Sequence, residues 1–98
     1  MNIDSRKEND TLVLSLEGRL DTSTAPKLEA CLKEVLGGVT ELTLNLKDLE
    51  YVSSAGLRVL LGAQKTMKKQ GSMQITGVNE TVKEIFDITG FSDIFTIV

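Results

Sequence analysis

Two adjacent hydroxyls, Ser53 and Ser54, sit where an apolar extended segment gives way to a run with helical spacing, and Ala55 and Gly56 follow them. A helix start leaves its first backbone N–H groups without intrahelical partners and carries a partial positive charge. Ser53 suits the N-cap, where a serine oxygen accepts from one of those N–H groups. Ser54 then falls on the first helical position with its hydroxyl facing solvent. Ala55 and Gly56 are small and leave the site sterically open. A glycine in a first helical turn costs about 1 kcal/mol relative to alanine. Gly56 therefore points to a close approach, either by another chain's backbone or in ordinary helix–sheet packing.

The chemistry such a site can do is bounded by what is missing. The chain has 98 residues and no histidine, so no Ser-His or Cys-His pair exists within it. A lone cysteine, Cys31, has no internal disulfide partner. It falls on an apolar stripe and is expected to be a buried, inert thiol. Neither G-x-G-x-x-G nor a P-loop pattern occurs, and the carboxylates are scattered, so no cofactor, metal site or enzyme activity is expected. With 11 basic and 14 acidic residues the net charge is −3, a poor match for a nucleic-acid backbone. No apolar run approaches the ~20 residues of a membrane span. Met1–Asp10 is polar, without the apolar core of a signal peptide, and a cytoplasmic protein, monomeric when free, is expected.

The elements that must position the serines follow from periodicity. Ile3–Lys7 is a weak candidate for an edge strand, and Asn9-Asp10 marks a turn. Thr11–Leu16 alternates Leu12, Leu14 and Leu16 with polar or small neighbours, a strand that Gly18 ends or bulges. Asp21–Thr24 is rich in cap residues and Pro26 suits a first helical turn. Leu28, Cys31, Leu32, Val35 and Leu36 form one helical stripe, closed by Gly37-Gly38. Thr40–Leu46 reads as a central strand. Leu57, Leu60, Leu61, Gln64 and Met67 carry a second helix to Gln70, with Met67 in the core and Lys65, Lys68 and Lys69 suited to its C-terminal dipole. Met73–Thr76 is a strand, Asn79 caps a third helix with Val82, Ile85 and Phe86 inward, and Phe95–Val98 is a candidate last strand. The order is ββαβαβα(β), an α/β domain spanning residues 1–98. Its mixed sheet has about four to five strands, parallel in the centre, flanked by about three to four helices.

Three stretches in register carry a family resemblance. GRLDTSTAPKL (Gly18–Leu28) resembles the G-x-L-D-x-x-T-A stretch of the STAS-domain anti-sigma factor antagonists. LNLKDLEYVSSAGLRVLL (Leu44–Leu61) resembles their core signature, and VKEIFDITGF (Val82–Phe91) their C-terminal helix. The resemblance implies a switch protein. Such a protein binds an anti-sigma factor that is also a serine kinase, and so releases a sigma factor. The kinase phosphorylates a serine at the start of the second helix, which blocks the complex, and a serine phosphatase reverses this. The matching acceptor is Ser54. Ser53 stands where the family pattern carries Asp, and Ala55 where it carries Ser or Thr, so Ser53 is a possible second acceptor. Partner contacts are expected at Asp21, Thr24, Ser53, Ser54, Gly56 and Arg58. Helix capping is the other reading of Asp21 and Thr24, and a solvated face that of Arg58. The alternative function is a STAS docking subunit of a membrane-transport or stress-sensing complex, never phosphorylated.

Overall fold

Leucines at alternate positions build the centre of the molecule. In β2 (Thr11–Leu20) Leu12, Leu14, Leu16 and Leu20 are buried, and in β3 (Glu41–Val52) Leu42, Leu44 and Leu46. The computed structural model describes residues 1–98. β1 (Asn2–Glu8) runs antiparallel to β2, while β2, β3 and β4 (Ser72–Thr76) are parallel, in the order β1-β2-β3-β4. This is the mixed sheet expected from the sequence. The parallel connections are made by α1 (Ala25–Val35) and α2 (Ser54–Gln70), and α3 (Glu80–Thr89) follows β4.

The three helices and the leucine face share one core of 23 buried residues. Burial is therefore one-sided. Thr43 and Gln74, paired in register on the opposite face, hydrogen-bond side chain to side chain at 3.2 Å. Cross-strand partners share a face, so Asp4 and Arg6, opposite Ser15 and Val13, point the same way.

β2 and β3 run further than their alternation suggested. Two register shifts, between Ser15 and Glu17 and between Gly18 and Arg19, each give β3 an extra residue against β2. Gly18, at φ +105°, lies at the second shift and does not end β2; the extra residue there is in β3. Beyond Leu46 the inward residues of β3 are Leu49 and Val52, three apart. The candidate strand Phe95–Val98 is reduced to a single parallel bridge, Ile97 against Ile75. A 3-10 turn at Phe91–Asp93 precedes it, and Phe95 turns into the core between the rings of Phe86 and Phe91.

Both ends of α2 are anchored. At its C-terminus the Gln70 amide donates to the carbonyls of Leu36 and Val39, each at 2.6 Å, closing the end of α1. Gly71 lies against β3, where an added Cβ would sit 1.9 Å from the Thr40 carbonyl oxygen. In α3 the Asn79 side chain caps the Val82 N–H at 2.9 Å and donates to the Leu49 carbonyl at 2.7 Å, tying the helix to the bulged end of β3.

Candidate functional site

β2 and β3 end side by side, with Leu20 opposite Val52, so the residues that follow, Asp21 and Ser53, leave the sheet together. Ser53 is extended (φ −86°, ψ 175°) and caps α2, its hydroxyl accepting from the Gly56 N–H at 3.3 Å. Its own N–H donates to the Leu20 carbonyl at 2.8 Å. Ser54 is the first helical residue and is exposed, whereas Ser53 is half-buried. The two hydroxyls thus differ: one is occupied in a cap, the other is open to solvent.

Gly56 is buried, and the close approach it permits is made by the chain itself. An added Cβ would lie 2.6 Å from Leu20 Cγ and 3.0 Å from the Leu20 carbonyl oxygen. Of the two readings of Gly56, helix–sheet packing is the one this geometry fits. Gly56 serves the site by letting α2 sit against the end of β2, and it offers no surface for contact.

Asp21 organises the adjoining turn. Its carboxylate accepts from the Ser23 N–H (3.0 Å), the Ser23 hydroxyl (2.7 Å) and the Thr24 N–H (3.1 Å). The Ser23 hydroxyl bond is the largest cause holding the Asp21 pKa below its ordinary value; burial opposes it, and the two backbone donors add to it. Thr24 answers in kind: its hydroxyl accepts from the Asp21 N–H at 2.8 Å and donates to the Arg19 carbonyl at 2.7 Å. Both residues thus tie together the turn that leads into α1, without the side-chain cap of that helix that was one of their two readings. Thr24 occupies the N-cap position of α1, but its hydroxyl bonds back to the turn and caps no N–H of the helix.

Arg19 and Tyr51 complete this end of the sheet. Arg19 lies over the Tyr51 ring, 4.5 Å from guanidinium carbon to centroid, with Nε 3.9 Å from the Asp21 carboxylate. Sequence reasoning missed both. Their pairing rests on the second register shift, which sets Arg19 opposite Tyr51, and no local pattern announces it. Arg58, one turn into α2, is exposed and has no ion-pair partner; the arginines at positions 6 and 19 each have one. With Glu29, Lys33 and Val59 it borders a hollow of about 420 Å³ between α1 and α2. Cys31, expected to be buried, is only half-buried because it sits at the margin of its stripe. Desolvation, and after it the charge of Glu34, raise its pKa, so the thiol stays protonated.

Known proteins resemble the chain in sequence and in fold. An anti-sigma-B factor antagonist of Bacillus subtilis is 34% identical over 98 residues, covering 99% of this chain and 90% of that protein. One of Listeria monocytogenes is 35% identical over 96 residues, covering 93% of this chain and 83% of that protein. Among solved structures, the anti-sigma factor antagonist SpoIIAA of Bacillus superposes with a TM-score of 0.85 in its unphosphorylated form. The superposition covers 99% of this chain and 88% of that one, at 20% identity. Its phosphorylated form gives 0.76, covering 99% and 91%, also at 20% identity. The STAS domain pattern matches residues 2–98. From the edge strand to the last bridge, then, the chain belongs to the STAS domain family.

Proposed function

We propose that the chain is an anti-sigma factor antagonist, a regulatory binding protein whose contact face is the end of the sheet where Asp21, Thr24, Ser53, Ser54 and Arg58 gather. Its partner is an anti-sigma factor that acts as a serine kinase, and phosphorylation of Ser54 turns binding off until a serine phosphatase restores it. The observation that carries this reading is the division of labour between the two serines. The Ser53 hydroxyl is committed to the cap of α2, while that of Ser54 is exposed on the first helical position. The similarity to the Bacillus subtilis antagonist over nearly the whole chain supports the same reading.

The switch has a simple physical basis. A phosphate adds about −1.5 to −2 charges. At the start of α2 the helix dipole offsets about 0.3–1 kcal/mol of the local repulsion, so the fold survives. Burying that charge in an interface without a partner costs several kcal/mol. A loss of roughly 3 kcal/mol is already about 100-fold in affinity.

Calorimetry with the cognate anti-sigma factor tests the proposal. Ser54→Asp is expected to weaken binding by about tenfold or more, and Ser54→Ala to bind and resist inactivation. Equal affinities for the wild type and both variants would sink it. A second reading is favoured by Ser53 itself, which stands where the family pattern has a carboxylate. In that reading the chain is an unphosphorylated docking subunit, and Ser54→Asp leaves its assembly unchanged.

A further inference from the structure

β1 is a terminal strand of the sheet, and nothing in the chain pairs with its outer edge. Its seven residues pair with β2 without a register break and include no proline. An intact edge of this kind is a template for another strand. Its side chains are ordered by sign. Asn2, Asp4, Arg6 and Glu8 alternate with Ile3, Ser5 and Lys7, and each set shares one face.

If the strand is turned end for end about Ser5 and laid beside itself, every opposed pair is compatible. Asp4 of each copy meets Arg6 of the other, Asn2 meets Glu8, and Ile3 meets the stem of Lys7. Of the registers that keep Asp4, Arg6 and Glu8 of both copies on one face, the two adjacent ones are not compatible. Centring on Asp4 sets two aspartates opposite each other. Centring on Arg6 sets two arginines opposite and places Asp4 against Glu8. Like charges directly opposed across strands are destabilising, and opposite charges are stabilising. Among these face-preserving registers, charge therefore favours the one centred on Ser5. Asp4 and Arg6 are available for it: their side chains are 64% and 84% exposed, and their only ion pair is with each other, at 3.3 Å.

We propose that two copies of this chain associate through β1, antiparallel and centred on Ser5, so that two four-stranded sheets become one. The contact is short and polar, and the association is weak. It replaces the expectation of a monomer with a monomer–dimer equilibrium. Ser53 and Ser54 follow β3, which β2 separates from β1, so pairing at the outer edge of β1 leaves both serines uncovered by the strands that join. The proposal does not depend on whether Ser54 is phosphorylated.

Sedimentation equilibrium on the full chain tests it, over concentrations reaching the order of 1 mM, where weak contacts become populated. The wild type is expected to dimerise, and less so with added salt. Asp4→Arg alone places arginine opposite arginine, and Arg6→Asp alone places aspartate opposite aspartate. Each is expected to weaken association by roughly tenfold or more. An equimolar mixture of the two variants should restore it, because the arginine pair of one then faces the aspartate pair of the other. Three results would overturn the proposal: a wild type that stays monomeric throughout, single variants that pair as well as the wild type, or a mixture that stays monomeric while both variants keep the wild-type far-UV circular dichroism.

Discussion

The backbone N–H of Ser53 donates to the carbonyl of Leu20 at 2.8 Å, and the same carbonyl lies 3.0 Å from where a Cβ on Gly56 would stand. One oxygen thus joins the end of β2 to the end of β3 and limits how close α2 can come. Two of the three stretches that carry the family resemblance meet at this point.

Gly56→Ala sets two effects against each other. Alanine improves helix propensity by about 1 kcal/mol. Its methyl, however, enters the space of Leu20, which is fully buried, and overpacking of this kind costs about 1–3 kcal/mol. The carbonyl at 3.0 Å cannot rotate away as a side-chain tip would. A net loss of about 1 kcal/mol or more is expected in urea unfolding, and a stabilised variant would refute the packing account.

Ser53→Ala removes the hydroxyl that accepts from Gly56. Loss of such a cap costs about 0.5–2 kcal/mol. Ser53→Asp keeps a cap acceptor and adds a charge that suits the helix dipole, so its stability should match or exceed that of the wild type. Thermal melts of the three proteins decide this. If Ser53→Ala melts with the wild type, the cap contributes nothing.

Asp21 gives the molecule an acid-sensitive turn. Its folded pKa lies below the ordinary value for an aspartate, chiefly through the Ser23 hydroxyl bond. The unfolded chain therefore binds the proton more readily than the folded one, and stability rises with pH through this region. The contribution is fully present above the unfolded value and is lost as pH falls through the depressed one. Asp21→Asn should be less stable than the wild type near neutrality, with the gap closing in acid. Parallel pH–stability curves would contradict the assignment.

Gly71→Ala is expected to be the most damaging of these substitutions. Its Cβ would stand 1.9 Å from the Thr40 carbonyl oxygen, which is backbone and cannot yield without moving the strand. The cost should reach or pass the upper part of the ~1–3 kcal/mol range for overpacking. Denaturant midpoints read it directly; a shift no larger than that of Gly56→Ala would be the wrong result.

What could be read from the sequence was local. Leu12, Leu14 and Leu16, and Leu42, Leu44 and Leu46, alternate without interruption, and both strands were placed by period alone. Past Leu46 the inward positions are spaced by three, because β3 carries an extra residue at each register shift. A period-two reading ends there by construction. The capping roles of Ser53 and Asn79 were legible because a cap bonds within three residues. The stacking of Arg19 on Tyr51 was not, since it depends on which residue of a bulged strand ends up opposite. The neighbour of Gly56 was hidden for the same reason: Leu20 is distant in sequence and arrives through the pairing.

The Gln70 amide, fastened to the carbonyls of Leu36 and Val39, has a counterpart at the other end of its helix in the Ser53–Leu20 bond. A helix pinned at both ends is a fixed post and not a lever. A charge placed on Ser54 has no hinge to work, and the message stays where it is written. Under the proposed switch such a protein would need no second shape, and would signal by what its surface repels.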